Sequence, residues 1–382
     1  MEVGSLSWRL DNRRKWILFG LAALALLLQA VLDATRAPTR QRDYELKLAA
    51  AELAAEAYDV LREHRRLDEG EVDLLNDPAS TGLIGPEFSI ITNAQGNLES
   101  KLTCLNPNWA AVMVEYFRQI GLGPGDPVAC AMSGSFPGMN IALYAAMEAM
   151  RLRPVVATSV GASMWGANDP GFTWLDMERA LFDAGVFTTR TRLASHGGGD
   201  DMGRGLSPSG RRAIVDAARR NDVPMLTSEN IEQAIERRMD FFVEQADGRP
   251  YRCYINVGGG VASLGSSNNK PALPSGLTFD LGAHNWSRKG TLIRFAERGV
   301  PVIHLLRIQT LARRHGLPIA PDYLPVPGEG EIFVKTMYRF EVALAMLILY
   351  GGLCVLVLAP EVSRGLFDRL PRRIPPTKEE SS

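Results

Sequence analysis

Three short segments of this chain carry side chains and backbone suited to chemistry. The first is residues 133–140, where Ser133, Gly134, Ser135, Gly138 and Asn140 fall between an expected strand and an expected helix. A hydroxyl on such a turn can act as a nucleophile. It can equally cap the helix or bond a bound carboxylate. A helix N-terminus at that place offers N–H groups and partial positive charge, which suit an anion. The glycine spacing matches neither a dinucleotide fingerprint, nor a phosphate loop, nor a nucleophile elbow.

The second segment is residues 256–265, again just after a strand-like run, with Asn256, Gly258, Gly259 and Gly260. Three glycines allow positive φ angles or a close approach of backbone to ligand. Lys270 follows shortly after and can join an anion site. The third segment, residues 195–205, holds His196, Asp200 and Asp201 among five glycines. It is too rich in glycine for a regular element and is expected to lie as a mobile loop over the sheet. His196 or His284 would be the base if Ser135 or Ser133 were a nucleophile, since such a serine needs a base within hydrogen-bond reach. His196, Asp200 and Asp201 could bind a metal or move a proton; the commoner outcome is a solvated loop with helix-capping aspartates. Arg190, Arg192, Arg204, Arg211 and Arg212 could hold carboxylates in their forks, although the ordinary fate of such arginines is solvated surface charge. Residues 160–176 add Ser163 as a ligand-binding candidate, beside Trp165 and Trp174, which either pack on the sheet or line a pocket.

The elements that must position these loops alternate strand and helix. Strands are expected at 127–132, 154–159, 249–257 and 300–304. Helices are expected at 42–66, 106–120, 139–152, 174–184, 208–221, 228–245, 287–298 and 305–315. The helix at 106–120 is expected to start with Asn106 as cap and Pro107 in its first position. Repeated βα units with apolar strands imply an α/β fold with a mostly parallel sheet and helices on both faces. In such sheets ligands bind beyond the carboxyl ends of the strands. The loops containing Gly134 and Gly259 would therefore open on one shared edge.

Apolar stretches close off both ends, at 16–32 and 342–359, each without a charged residue. About 17–25 apolar residues suffice to cross a bilayer as a helix. The expected layout is a cytoplasmic tail (1–15), a membrane helix (16–34), an α/β domain (35–341), a second membrane helix (342–359) and a second cytoplasmic tail (360–382). Arg9, Arg13, Arg14 and Lys15 precede the first stretch, and Arg364, Arg369, Arg372, Arg373 and Lys378 follow the second. Basic flanks favour the cytoplasm, so the central domain is expected outside the cytoplasmic membrane. A cleaved signal peptide is the alternative for the first stretch, although residues 33–37 make a poor cleavage site.

The chain has 42 basic and 43 acidic residues, a net charge of −1, which gives a nucleic-acid role no electrostatic support. Its four cysteines show no metal-like spacing. Cys130 and Cys253 are expected as buried thiols, while Cys104 is free or disulfide-bonded. No motif specifies a cofactor or a metal.

Residues 82–101, 106–111, 132–142, 158–178 and 256–265 stand in an order that resembles the poly-gamma-glutamate system protein family. That resemblance covers roughly residues 80 to 270 and the two-stretch layout. It implies a role in synthesis, export or anchoring of γ-linked polyglutamate at the cell envelope. The implied partners are the lipid bilayer, the synthase or export subunits and the polymer itself. The resemblance carries no catalytic assignment. Two functions are thus expected: a membrane-anchored component that binds an anionic, polyglutamate-like ligand, or a serine-type hydrolase or transpeptidase acting on γ-glutamyl amides.

Overall fold

Residues 127–133 and 155–159 are buried almost without exception, as strands covered on both faces must be. The computed structural model describes residues 12–65 and 73–358; the basic flanks at Arg9 and from Arg364 to Lys378 lie outside them. The chain divides into a central unit, residues 40–334, and a unit made of the two terminal segments.

In the terminal unit, helix α1 spans Asn12–Ala34 and α12 spans Phe340–Leu358. Lys15–Ala34 (20 residues) and Phe340–Val357 (18 residues) are long and apolar enough to cross a membrane. At about 1.5 Å per residue they reach about 30 Å and about 27 Å, close to the roughly 30 Å of a hydrocarbon core. Protein buries 6% and 0% of these spans, so neither is the core helix of a folded domain. Leu347, Ile348 and Leu349 on α12 stand exposed in a row. Where the two helices meet, Tyr350 Oη donates to the carbonyl of Leu21 at 3.3 Å.

The central unit is built on a six-stranded sheet. Its strands are β1 (Pro127–Ser133), β2 (Arg153–Ser159), β3 (Leu193–Ser195), β4 (Cys253–Val257), β5 (Gly276–Thr278) and β6 (Val302–Leu305). Their spatial order is β5-β6-β4-β1-β2-β3, and all neighbours are parallel except β5 with β6. Before the first strand come helices α2 (Tyr44–Arg65), α3 (Leu98–Cys104) and α4 (Trp109–Ile120), and after it α5 (Pro137–Ala149) and α6 (Trp174–Asp183). Then come α7 (Pro208–Arg220), α8 (Ile231–Gln245), α9 (Val261–Leu264), α10 (Thr291–Glu297) and α11 (Ile308–His315).

Strand alternation sorts the core into two layers. Val128, Cys130 and Met132 face a cluster with Trp109, Phe117 and Tyr144, from α4 and α5. Ala129 and Ala131 face the other way, onto Phe242 of α8 and Phe295 of α10. Helices therefore cover both faces, and alanines on the second face let the aromatic residues approach. Trp174 is fully buried and meets Tyr144 edge-on at 5.7 Å, so it packs rather than lines a pocket.

Several elements begin later than the residue pattern suggests. Helix α4 starts at Trp109, because the Asn106 side chain accepts from the Asn108 N–H at 2.9 Å and makes a separate turn first. Strand β4 starts at Cys253, α8 at Ile231 behind an Asn230 cap, and α10 at Thr291. Ser195 belongs to edge strand β3 rather than to a loop. The antiparallel strand β5 was not expected; three residues, one of them Gly276, leave too short a pattern to see. All four cysteines are free, with Cys104, Cys130 and Cys253 buried.

Candidate functional site

The sheet places the site through its strand order. The chain runs outward from β1 through β2 to β3, then returns to the other side of β1 as β4. The crevice where the order reverses is the usual ligand position in an open α/β sheet. Here it is a cleft of about 370 Å³. Ser133, Ser135 and Phe136 enter it from beyond β1, Ser159, Gly161 and Ser163 from β2, and Gly259 and Gly260 from beyond β4. Asn93, Asn97 and Lys101 form the opposite wall, with Lys270 at the rim. Among the described residues, no aspartate or glutamate lines it.

Hydroxyls and amides tie the floor together. Ser133 Oγ accepts from the Ser135 N–H at 3.1 Å and donates to Ser135 Oγ at 3.0 Å. Ser135 Oγ also accepts from the Ser163 N–H at 3.0 Å, linking the β1 loop to the β2 loop. Ser163 itself is held by a short parallel pairing of residues 92–94 with 162–163. Gly134 fits here because a Cβ would lie 2.7 Å from the Val160 carbonyl.

Lys101 is the residue the sequence did not single out. Asn97 caps α3 by accepting from the Ser100 N–H at 2.8 Å, and Lys101 follows one turn later. Its side chain turns inward and is only 3% exposed. Lys101 Nζ lies 2.7 Å from Ser163 Oγ and donates to the Ser135 carbonyl. It also sits 3.9 Å from the centroid of the Phe136 ring. Burial pulls its pKa down to about 7. Lys270 stands at the opposite edge, with Nζ 3.3 Å from where a Cβ on Gly259 would be.

A buried ion pair underlies the β2–β3 side. Asp201 and Arg238 are each 3% exposed. Arg238 Nε donates to Asp201 Oδ2 at 2.9 Å, and Asp201 Oδ1 accepts from Ser159 Oγ at 3.1 Å and Ser195 Oγ at 2.8 Å. Arg238 completes the square by donating to Ser195 Oγ at 2.6 Å and Ser159 Oγ at 3.1 Å. The segment after β3 is thereby pinned, with backbone bridges Gly197–Met202 and Gly199–Arg204, and it presents Gly197 and Gly198 to the cleft. The expectation of a mobile loop with solvated aspartates is corrected for Asp201; Asp200 is half-buried and paired with Arg204 at 2.9 Å.

Of the expected site residues, Ser133, Ser135, Ser163, Gly259, Gly260 and Lys270 meet in one cleft. Gly134 and Gly258 lie beneath its surface, Gly258 with φ +90° against the Ser133 side chain. Asn140 is buried and donates to the Ser133 carbonyl at 3.0 Å, and Asn256 donates to the Gly258 carbonyl at 2.7 Å, so both brace loops from behind. Gly138 packs against α3, where a Cβ would lie 2.5 Å from the Cys104 carbonyl. With Pro137 lacking an N–H, the start of α5 is sealed by α3 rather than offered to an anion.

His196 does not line the cleft; it faces a separate hollow with Arg211, Arg212 and Arg219. It is no partner for Ser135, and His284, on the far loop beside Trp286, is not one either. Neither Trp165 nor the remaining arginines of that region reach the cleft. Comparison of the chain with family models, characterised proteins and solved structures returns no match.

Proposed function

We propose that the central unit is the ligand-binding part of a membrane-anchored component of a poly-γ-glutamate synthesis or export system. In this reading the two terminal helices cross the cytoplasmic membrane, both tails are cytoplasmic and residues 40–334 work outside. The bilayer, the synthase or export subunits and the polymer are its partners. The family-like segments at 82–101, 132–142, 158–178 and 256–265 support the choice of polymer, since each contributes residues to the cleft or its walls.

The observation that carries the reading is the composition of the cleft. It gathers five serine hydroxyls, two asparagines and two lysines at the switch point of a parallel sheet, with no carboxylate among its described lining residues. A γ-linked polyglutamate carries one free α-carboxylate per residue. Hydroxyl, amide and ammonium donors match such groups, and a carboxylate in the wall would repel them. The domain needs no overall basic charge for this, because the donors are local.

The test is binding of a γ-linked glutamate oligomer to the purified full chain in detergent. Affinity is expected to weaken with salt and to fall about tenfold or more in Lys270→Glu, since a charge-assisted bond contributes about 1.5–3 kcal/mol. Unchanged affinity in that variant removes the rim lysine from the site, and absence of binding removes the reading.

A further inference from the structure

We propose that Ser163 and Lys101 form a nucleophile–base pair, and that the cleft transfers or hydrolyses the γ-glutamyl amide it binds. The choice of substrate rests on the ligand reading above; the pair itself rests on geometry. The 2.7 Å between Lys101 Nζ and Ser163 Oγ is a proton-transfer distance. The amine is also oriented. One N–H is held by the Ser135 carbonyl and the nitrogen lies over the Phe136 ring, which directs the remaining valence toward Ser163. The nucleophile is fixed in turn, because its own N–H bonds Ser135 Oγ at 3.0 Å. Both side chains reach the cleft from different walls, Lys101 from α3 and Ser163 from the segment after β2.

The chemical state fits the geometry. Burial holds Lys101 down to about 7, and no carboxylate among the described residues lines the cleft to keep it charged. Near neutral pH a substantial fraction is the free amine, which can accept a proton. Ser133 and Ser135 have a different part: they bond each other and the backbone, and position Ser163.

The reaction balances with water or a second amine as co-reactant. Ser163 Oγ attacks the amide carbonyl carbon while its proton passes to Lys101 Nζ. The C–N bond then breaks, and Lys101 delivers that proton to the departing amine, leaving an ester on Ser163. Water, or an amine acceptor, gives a proton to Lys101 and attacks the ester carbon. The C–O bond breaks and the proton returns to Ser163 Oγ. Water gives hydrolysis and an amine gives transfer.

The experiment uses the full chain in detergent and a fluorophosphonate probe, with the adduct located by mass spectrometry of peptides. An adduct on Ser163 is expected, forming faster as pH rises and levelling above about 7, as a base that must be neutral requires. Lys101→Met should slow labelling about 100-fold or more, and Ser163→Ala should abolish it. A lysine that merely braces two loops would give no such pH profile, and the wild-type profile needs no variant to fold. No adduct at Ser163, or a labelling rate that ignores both pH and Lys101, overturns the pair. Oligomer binding to Ser163→Ala separates the two ideas. Binding without wild-type labelling overturns the pair and leaves the ligand reading, whereas labelling without binding supports the pair and overturns the substrate.

Discussion

Arg238→Met is the substitution whose cost the structure defines best. Arg238 is the only cation bonded to Asp201 among the described contacts, and the side chains of the two are 4% and 2% exposed. Removing the guanidinium leaves a buried carboxylate with two serine hydroxyls as its remaining side-chain donors. Breaking a buried pair from one side costs about 3–5 kcal/mol, because an uncompensated charge stays behind. For a domain of roughly 300 residues, an unfolding entropy of about 2.1 cal/mol/K per residue converts this to a loss of about 5–8 °C in Tm. The assay is thermal unfolding of the detergent-solubilised chain followed by tryptophan fluorescence. The double variant Arg238→Met/Asp201→Asn should recover most of the loss, because removing both charges is often near neutral. Asn also tolerates the φ of +62° found at position 201. A single-variant shift under about 1 °C, or a double variant no better than the single, would show that Arg238 does not neutralise a buried charge on Asp201.

Two further perturbations probe the supports of the cleft. Gly138→Ala puts a Cβ 2.5 Å from the Cys104 carbonyl at a helical position, so only crowding is at issue. It should cost about 1–3 kcal/mol in a melt and slow Ser163 labelling by displacing α3; a melt identical to wild type would show that α3 yields freely. His304 is buried, with Asn256 Nδ2 2.9 Å from its Nδ1 and no partner on Nε2 among the described residues, and burial, then Arg307 and Lys270, hold its pKa down to about 4. The unfolded chain binds a proton near pH 6.5 and the folded chain does not until about 4, so stability is lost as pH falls through that window, by on the order of 3 kcal/mol. The drop in Tm between pH 7 and pH 4.5 should shrink in His304→Leu, and an equal drop in both proteins would contradict the assignment.

The sheet and the rim of the cleft were legible because their signals are local. Runs such as 127–132 carry few charges and end in glycine or serine, and each is followed by a helical pattern. Parallel βα order then places the loops of Ser135 and Gly259 on one edge without further information. What escaped depends on contacts distant in sequence. Lys101 meets Ser163 across 62 positions, and Asp201 meets Arg238 across 37. Nothing in a glycine-rich stretch distinguishes an aspartate that will be buried from one that will be solvated. His196 looked like a base because it neighbours the glycines that do reach the cleft, but successive side chains leave a strand end in opposite directions. Asn140 and Asn256 lie beside the loops, and each turns back to hold a carbonyl, a contact that residue type and position do not reveal.

The most direct measurement is an experimental structure of the full chain with a γ-linked glutamate oligomer. The oligomer is expected between Lys101 and Lys270, with a carboxylate near Lys270 Nζ and an amide carbonyl carbon within reach of Ser163 Oγ. An oligomer seated instead in the hollow of His196, Arg211 and Arg212 would contradict this expectation, as would a cleft that stays empty at saturating ligand.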